Sequence, residues 1–351
     1  MQQIQRIVIF RTDRIGEVIL TTPLIKALKE KYPAAHITFF TSKLAEEILQ
    51  FVPRIDSIHT FDTLSKPNFF DFLKLILQLR KGNFDLTLIS NPHKYIHLAA
   101  FLSGIKNRIG FSRKWGKWLL THSIKDVRSE GKIHEIQANL QLLNILDIKQ
   151  DLIKPEISVP EIFKEDFKQQ ICELNLDPTK PIISIHPGSS YIYKRWPKEY
   201  FIDLIHQLLK SYSAQICING DASEKKLCED IASHFSSNVV SLAGKFTLKD
   251  LTIFLSLSNL VITNDSGPMH IADALNKNLI AIFGRGNEGT GPNRWGPKGP
   301  NSYILHKVPG QCKKCQDQDC LYDYECLKMT KPQEVLDLIA KNQLLGKSKE
   351  D

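Results

Sequence analysis

Short runs of β-branched and aromatic residues alternate with amphipathic helical segments along the whole 351-residue chain. This alternation is typical of parallel βαβ units and not of a β-sandwich or a helical bundle. It predicts strands at 6–10, 36–40, 57–61, 85–90, 108–110, 182–186, 215–219, 239–242, 260–263 and 279–283, and helices that include 21–31, 70–81, 132–146 and 331–345. The pattern therefore predicts an α/β protein with two Rossmann-like halves, whose parallel sheets face each other across a cleft.

The stretch from Lys154 to Pro160 is extended and bracketed by prolines, as an interdomain linker would be. The chain is also about twice the usual size of a single domain. We therefore expect an N-terminal domain at 1–158 and a C-terminal domain at 159–328. The remaining helix and tail, 329–351, are expected to pack back toward the N-terminal domain.

Composition places the chain among ordinary globular proteins, with 42% hydrophobic and 24% charged residues. No window approaches the roughly 20 uninterrupted apolar residues of a membrane span. The first residues lead directly into a strand pattern and lack the sections of a signal peptide. We expect a protein of the cytosol.

The formal charge of +8 favours an anionic partner, which could be a phosphorylated ligand, an anionic membrane face or a nucleic acid. The segment from Lys106 to Trp118 carries five basic residues, no acidic residue and two tryptophans. This mixture suits a lipid headgroup surface, and it predicts membrane-facing cations at Arg113, Lys114 and Lys117. In the alternative, the two tryptophans are core residues and the cations only aid solubility.

Candidate chemistry begins at Asp13, which stands where the first strand gives way to a helix. The carboxyl ends of parallel strands border the crevice in which open α/β sheets bind ligands. A second candidate is the run from Asn264 to His270, in which a buried strand leads into Asp265, Ser266 and Gly267 before Pro268 opens a helix. Free N–H groups at that helix start predict a phosphate site, with a simple helix cap as the alternative.

A third candidate loop follows the strand that ends at His186. It delivers Ser189 and Lys194, which can neutralise a diphosphate and offset charge on a departing phosphate. The alternative is a solvated basic loop. The next two strand ends offer Glu224 to the hydroxyls of a ribose and Gly244 to the edge of a flat base.

Four cysteines crowd one segment near the C-terminus: Cys312, Cys315, Cys320 and Cys326. In a reducing compartment such spacing is typical of a structural zinc or iron site. Reduced structural thiols and an adventitious disulfide remain the alternatives.

Five motifs, in order along the chain, together resemble the family 9 glycosyltransferases, the ADP-heptose:lipopolysaccharide heptosyltransferases. They are Arg11 to Glu17, His186 to Ser189, Lys194 to Pro197, Leu242 to Lys245 and Asn264 to His270. The resemblance implies a GT-B fold, with the acceptor held by the N-terminal half and the sugar nucleotide by the C-terminal half. It also implies an inverting, metal-independent transfer of heptose from ADP-heptose to a hydroxyl of the lipopolysaccharide inner core, at the cytoplasmic face of the inner membrane.

By this resemblance Asp13 is the general base, and Lys194 with Ser189 holds the diphosphate. Asp265, Ser266, Gly267 and His270 complete the donor pocket, and Glu224 binds the ribose. One departure follows Gly284, where many relatives continue Pro-Thr-Asp-Pro and this chain has Arg285 and Gly286. The departure leaves open which sugar is carried.

Two other functions compete with this interpretation. One is a GT-B glycosyltransferase that uses another nucleotide sugar. The other is a non-catalytic nucleotide or RNA-binding protein, which the positive charge suggests but which explains neither Asp13 nor the turn before Pro268. We therefore expect no nucleic-acid partner.

Overall fold

The structure is a computed structural model of the chain. It describes residues 4–63, 67–112, 114–151, 153–174, 176–177, 179–286, 288–312, 315 and 317–346, and the side chains of 114, 115, 172, 288 and 317 lie outside that description. The chain divides into two compact units, Met1–Ser158 and Val159–Asp351.

In the N-terminal unit, the described residues form one parallel sheet of six strands in the order β3-β2-β1-β4-β5-β6. The strands are β1 (Arg6–Phe10), β2 (His36–Thr41), β3 (Ser57–Thr60), β4 (Leu86–Ile89), β5 (Asn107–Ser112) and β6 (His122–Lys125). The helices are α1 (Ile15–Ile19), α2 (Pro23–Lys31), α3 (Lys43–Leu49), α4 (Phe69–Gly82), α5 (Lys94–Leu102) and α6 (Glu135–Leu140). The central strand β1 is buried from Ile7 onward, as expected of a parallel strand covered on both faces.

Two elements of this unit differ from the sequence-based expectation. Strand β6 was not predicted, because its residues are polar and mostly exposed at the edge of the sheet. The helix expected over 132–146 begins only after the capping residue His134, and it continues past Leu140 as a 3₁₀ helix over Gln141–Leu146.

The C-terminal unit repeats the arrangement, with a described sheet of six parallel strands in the order β12-β11-β10-β7-β8-β9. The strands are β7 (Ile182–His186), β8 (Gln215–Ile218), β9 (Val239–Ser241), β10 (Leu260–Asn264), β11 (Asn278–Phe283) and β12 (Ser302–His306). The helices are α7 (Glu161–Glu173), α8 (Lys198–Ser211), α9 (Lys225–Ala232), α10 (Leu248–Leu257), α11 (Gly267–Ala274), α12 (Pro292–Trp295), α13 (Glu325–Lys328) and α14 (Pro332–Lys341). The edge strand β12 was not predicted.

The last helix is part of the core of this unit. Val335 and Ile339 of α14 are fully buried in the same apolar cluster as Leu204 and Leu208 of α8. Helix α14 therefore packs in the core of the C-terminal unit, and the packing of 329–351 toward the N-terminal domain stays a prediction.

The predicted α/β class, with two Rossmann-like parallel sheets, is confirmed. Across the residues that the structure describes, no helix is long and apolar enough to cross a membrane.

Candidate functional site

Asp13 lies at the carboxyl edge of the N-terminal sheet, in the short connection between β1 and α1. The Arg11 Nε–H donates to its Oδ1 at 2.6 Å, and the aspartate side chain keeps 29% of its surface exposed. One carboxylate oxygen is thus held by an ion pair while the group stays open to solvent. A carboxylate that is both oriented and accessible can accept a proton from a bound hydroxyl.

The orientation of Asp13 depends on a buried network that the sequence did not suggest. The Arg11 Nη1–H donates to Glu135 at 3.1 Å and to Ser90 at 2.9 Å. The Arg128 Nη1–H donates to the same Glu135 oxygen at 2.7 Å. Glu135 is fully buried and lies 124 residues from Arg11 in the chain, so no local motif links the two.

Glu17 places a second carboxyl group beside this site. Burial raises the pKa of Glu17, and the nearby charge of Asp13 raises it further. Burial by itself would lower the pKa of the Arg11 guanidinium. The nearby carboxylates of Asp13 and Glu135 outweigh this effect of burial, so the pKa of Arg11 is raised. Arg11 therefore stays charged and keeps its hold on Asp13.

The C-terminal unit brings its predicted donor residues together at the matching edge of its own sheet. The Lys194 Nζ lies 2.6 Å from the Asp265 Oδ2, and the Ser189 hydroxyl donates to the Asp265 carbonyl oxygen at 3.4 Å. These residues follow β7 and β10, which are neighbours in the sheet. The arrangement leaves a lysine and a hydroxyl at one point of the edge, as an anion site requires.

The alternative interpretation of the turn at Asp265 and Ser266, a simple helix cap, is wrong. Helix α11 has Ser266 as its N-cap, with no side-chain capping bond, and Asp265 pairs with Lys194 instead. The Ser266 hydroxyl lies 3.0 Å from that of Thr263. Gly267 opens α11, which also carries the buried His270.

The lysine loop is not a solvated face, because two side chains that the sequence analysis missed fix it. The Asn264 amide donates to the Pro187 carbonyl at 2.8 Å and accepts from the Trp196 N–H at 3.0 Å. The Arg195 guanidinium donates twice to the Ser189 carbonyl, at 2.8 and 2.6 Å. Asn264 and Arg195 lie within the five family motifs, but the sequence alone does not indicate that their side chains bind backbone groups of this loop.

Glu224 is buried against the same loop. Its Oε2 accepts from the Asp221 N–H at 3.1 Å, which closes a capping box. A Cβ atom placed on Gly188 would overlap its carboxylate, so the close approach requires glycine there. His186 lies 3.7 Å from Glu224, and burial lowers the pKa of the histidine, which supports a structural role for it.

Gly244 also sits where glycine is required. Its φ of 72° lies in the left-handed region, and its N–H donates to the Gly220 carbonyl at 2.9 Å. The predicted donor residues thus all lie at or just beyond the carboxyl ends of β7, β8, β9 and β10.

The cysteine segment packs beside this edge. The Cys326 Sγ accepts from the Arg285 N–H at 3.4 Å, and the Arg285 guanidinium lies 4.7 Å from the ring centroid of Tyr193. In the described part of the chain, no three histidine, cysteine or acidic side chains are placed to hold a metal. Burial raises the pKa of the Cys312 and Cys326 thiols. The structural zinc or iron ion stays a prediction.

Of the predicted membrane-facing cations, Lys117 is exposed, and its Nζ lies 4.9 Å from the ring centroid of Trp118. Trp118 is itself 77% exposed, so for Trp118 the alternative interpretation of a core residue is wrong. Arg113 and the side chain of Lys114 lie outside the described residues, as does the side chain of Trp115.

Two Rossmann-like units, each built on a parallel sheet of six strands, are the architecture of GT-B glycosyltransferases. The sequence profile described as glycosyltransferase family 9 (heptosyltransferase) matches residues 72–325, more than half of the chain. The chain belongs to glycosyltransferase family 9, and the resemblance seen in its motifs is confirmed.

Individual relatives are similar to this chain over four fifths or more of its length. The chain is 26% identical over 345 residues to a lipooligosaccharide heptosyltransferase 2 of Campylobacter jejuni, covering 94% of this chain and 95% of the relative. It is 26% identical over 292 residues to the lipopolysaccharide heptosyltransferase 1 of Campylobacter coli, covering 80% and 84%. The solved structure of E. coli ADP-heptose lps heptosyltransferase II is similar in fold, with a TM-score of 0.80, 22% identity and coverage of 97% and 98%.

Proposed function

We propose that this chain moves heptose from ADP-heptose to a hydroxyl of a lipopolysaccharide inner-core acceptor, with inversion at the anomeric carbon. The observation that carries the proposal is the contact of Lys194 with Asp265, which places a cation at the carboxyl edge where the donor diphosphate would bind. Family membership and the printed names of the relatives support the donor and the acceptor class.

In the proposed reaction, Asp13 takes the proton of the acceptor hydroxyl as its oxygen attacks the anomeric carbon. A carbon–oxygen bond forms to the acceptor while the bond from the anomeric carbon to the diphosphate breaks. General-base action of this kind contributes about 10²- to 10⁴-fold to a rate. Arg11 and Glu135 act as positioning residues for the base.

The leaving diphosphate gains charge as the glycosidic bond breaks. Lys194 stands ready to offset that charge, with Ser189 and the amide groups at the start of α11 as further donors. Glu224 would accept from the ribose hydroxyls, and Gly244 would border the adenine. Because these groups would neutralise the charge of the leaving diphosphate, we propose that the transfer step needs no metal ion.

The acceptor is lipid-anchored, so we place the protein at the cytoplasmic face of the inner membrane as a peripheral enzyme. The exposed pair of Lys117 and Trp118 supports this, because a cation beside an aromatic ring suits an anionic headgroup layer.

The test is a turnover assay with extracted heptose-deficient lipopolysaccharide as acceptor. ADP-heptose is compared with ADP-, UDP- and GDP-hexoses, and products are weighed by mass spectrometry. We expect a product heavier by one heptose with ADP-heptose. Transfer from a UDP- or GDP-sugar alone would reject this donor and favour a glycosyltransferase of different specificity.

Variants of the two catalytic residues test the assigned roles. Asp13→Asn should fold, bind ADP and lose nearly all turnover, whereas Asp151→Asn, an exposed acid of the same unit, should keep it. Asp13→Asn retaining more than about a tenth of the wild-type rate would remove Asp13 from the base role.

Lys194→Ala should weaken ADP binding about ten- to hundredfold and slow transfer, because a charge-assisted hydrogen bond contributes about 1.5–3 kcal/mol. The matched control is Lys198→Ala, whose lysine forms a surface pair with Asp230. Equal ADP affinity for the two variants, measured by calorimetry, would show that Lys194 does not bind the diphosphate.

The four cysteines are kept as the candidate holders of a structural zinc or iron ion, outside the transfer step. Four thiols within fifteen residues support this proposal. Elemental analysis of the purified protein tests it: about one ion per chain is expected, and metal at background level would reject it.

A further inference from the structure

Helix α4 of the N-terminal unit presents apolar side chains on both of its faces. Leu75, Ile76 and Leu79 are buried against the sheet. The opposite face is also apolar, with Phe70 78% exposed and Phe69 71% exposed. A surface helix of a globular protein normally keeps its outer face polar, so this outer face needs a partner.

The exposed apolar residues of α4 form one stripe. Phe70, Leu73 and Leu77 are spaced three and four residues apart, which places them on one side of a helix, and Phe69 flanks Leu73. Leu77 remains 55% exposed. We call Phe69, Phe70, Leu73 and Leu77 the α4 stripe.

The α4 stripe is bordered by cations. Lys74 and Lys81 are seven residues apart and line one edge, and Arg80 lies at the other edge. All three are exposed. The helix has a single acidic residue, Asp71, which its position places away from the centre of the stripe.

The same surface continues beyond the helix. The Arg80 guanidinium donates to the Leu102 carbonyl at the end of α5, where Phe101 is also exposed. The Arg108 guanidinium lies 5.4 Å from the ring centroid of Phe101, and its Nε–H donates to the Leu119 carbonyl beside Trp118. These contacts link Arg80 of α4, by way of the end of α5 and Arg108, to the segment that carries the exposed Trp118.

From this we infer that the α4 stripe is a docking surface for an anionic lipid bilayer, on which α4 lies in the plane of the headgroups. The inference rests on the proposed function, since a lipid-anchored acceptor makes a bilayer the partner. Aromatic and leucine side chains would enter the boundary of the acyl region, and the long lysine and arginine side chains would reach the phosphates.

Charge favours a bilayer over a second copy of the chain. A two-fold interface on the α4 stripe would bring the cationic rim of one copy against the same rim of the other. With Asp71 as the one acid of the helix, little opposes that repulsion. An anionic membrane matches both the apolar centre and the cationic rim.

The experiment is vesicle flotation with the full chain, using phosphatidylcholine vesicles with and without phosphatidylglycerol. The stripe variant carries Phe69→Gln, Phe70→Gln, Leu73→Gln and Leu77→Gln, and its control carries Leu44→Gln and Ile162→Gln. The two control residues are exposed apolar side chains on α3 and α7, at 55% and 64%. Glutamine is a good helix former, so α4 should persist in the stripe variant, as circular dichroism would verify.

The wild type and the control should float with the anionic vesicles, and the stripe variant should bind at least about tenfold more weakly. Lys74→Gln with Lys81→Gln should weaken binding about fivefold per lysine at low salt, and much less at high salt. Equal flotation of the stripe variant and the wild type would overturn the inference. A second result would also overturn the inference: a wild type that is dimeric in analytical ultracentrifugation and does not bind vesicles, together with a stripe variant that is monomeric.

Transfer to a deacylated, soluble acceptor separates this inference from the proposed function. The stripe variant should keep the wild-type rate on that acceptor and lose rate on acceptor embedded in vesicles. A wild type that floats but transfers nothing from ADP-heptose would reject the proposed function alone. Normal transfer without flotation would reject the docking surface alone.

Discussion

Neutralising Glu135 tests whether the buried network sustains the N-terminal unit and its candidate base. In the structure one Glu135 oxygen accepts from Arg11 at 3.1 Å and from Arg128 at 2.7 Å, and the side chain has no exposure. Glu135→Gln keeps the shape and an acceptor oxygen but removes the charge. Each charge-assisted bond then loses about 1 kcal/mol, since bonds to charged groups contribute about 1.5–3 kcal/mol and neutral ones about 0.5–1.5.

The weakening of the two bonds together therefore lowers the free energy of unfolding by about 2 kcal/mol. The positive charge that is left unbalanced in a buried site lowers it further, toward the roughly 3–5 kcal/mol typical of a broken buried ion pair. We therefore expect the free energy of unfolding to fall by about 2–4 kcal/mol. For a unit of this size that lowers the melting temperature by roughly 5–12 °C.

The assay is differential scanning calorimetry, which can separate the transitions of the two units. The matched control is Glu130→Gln, which makes the same chemical change in the exposed pair of Glu130 with Lys132. That pair is solvent-screened and should contribute less than about 1 kcal/mol.

If the two variants melt within about 2 °C of each other, the buried network does not stabilise the N-terminal unit by the expected amount of about 2–4 kcal/mol. Turnover supplies a second measurement. Because Arg11 loses one of its two carboxylate partners in Glu135→Gln, its hold on Asp13 loosens, and kcat should fall more than KM rises.

Two further predictions follow from close contacts at the two sheet edges. Gly188→Ala should displace the Glu224 carboxylate and weaken the binding of ADP measured by calorimetry. Gly310→Ala, where a Cβ meets nothing within 4 Å, should leave the affinity for ADP unchanged. Equal affinities of the two variants would contradict the proposed contact of Glu224 with the ribose. Burial and the charge of Asp13 raise the pKa of Glu17 above 4.5 in the folded state. Protonated Glu17 therefore stabilises the folded state. This contribution is fully present below about pH 4.5 and is lost as pH rises through the folded pKa. Glu17→Gln should therefore melt above the wild type at pH 7, with the gap closing toward pH 4.5; a gap that stays constant with pH would reject the shift.

The sequence was sufficient for the strands that build the centre of each sheet. Strands such as β1 and β7 are buried on both faces, so their continuous apolar runs carry an unambiguous signal, and their predicted bounds agree with the structure. The edge strands β6 and β12 were missed for the converse reason. Strand β6 is mostly exposed and β12 is partly exposed, and their mixed composition resembles that of loops.

The residues around Lys194 and Asp265 show the same division between what the sequence predicts and what it does not. Lys194 and Asp265 were predicted separately, because each follows a buried strand at the ligand edge. Their contact could not be predicted, because it depends on which strands become neighbours. The Glu135 network is more distant still, since it joins Arg11 to a residue more than a hundred positions away with no local pattern.

The pairing of Lys194 with Asp265 has a mechanistic consequence. Both side chains are mostly buried, so each reduces the cost of burying the other's charge. In the proposed donor complex, a diphosphate that approaches Lys194 would compete with Asp265 for the same ammonium group and would repel the carboxylate. Asp265 would then need a new hydrogen-bond donor, and the hydroxyls of the bound sugar nucleotide would supply one. In that proposed role a lysine would suit position 194 better than an arginine. Its single ammonium group can be shared between two anions as one replaces the other, whereas a planar guanidinium favours one fixed bidentate partner.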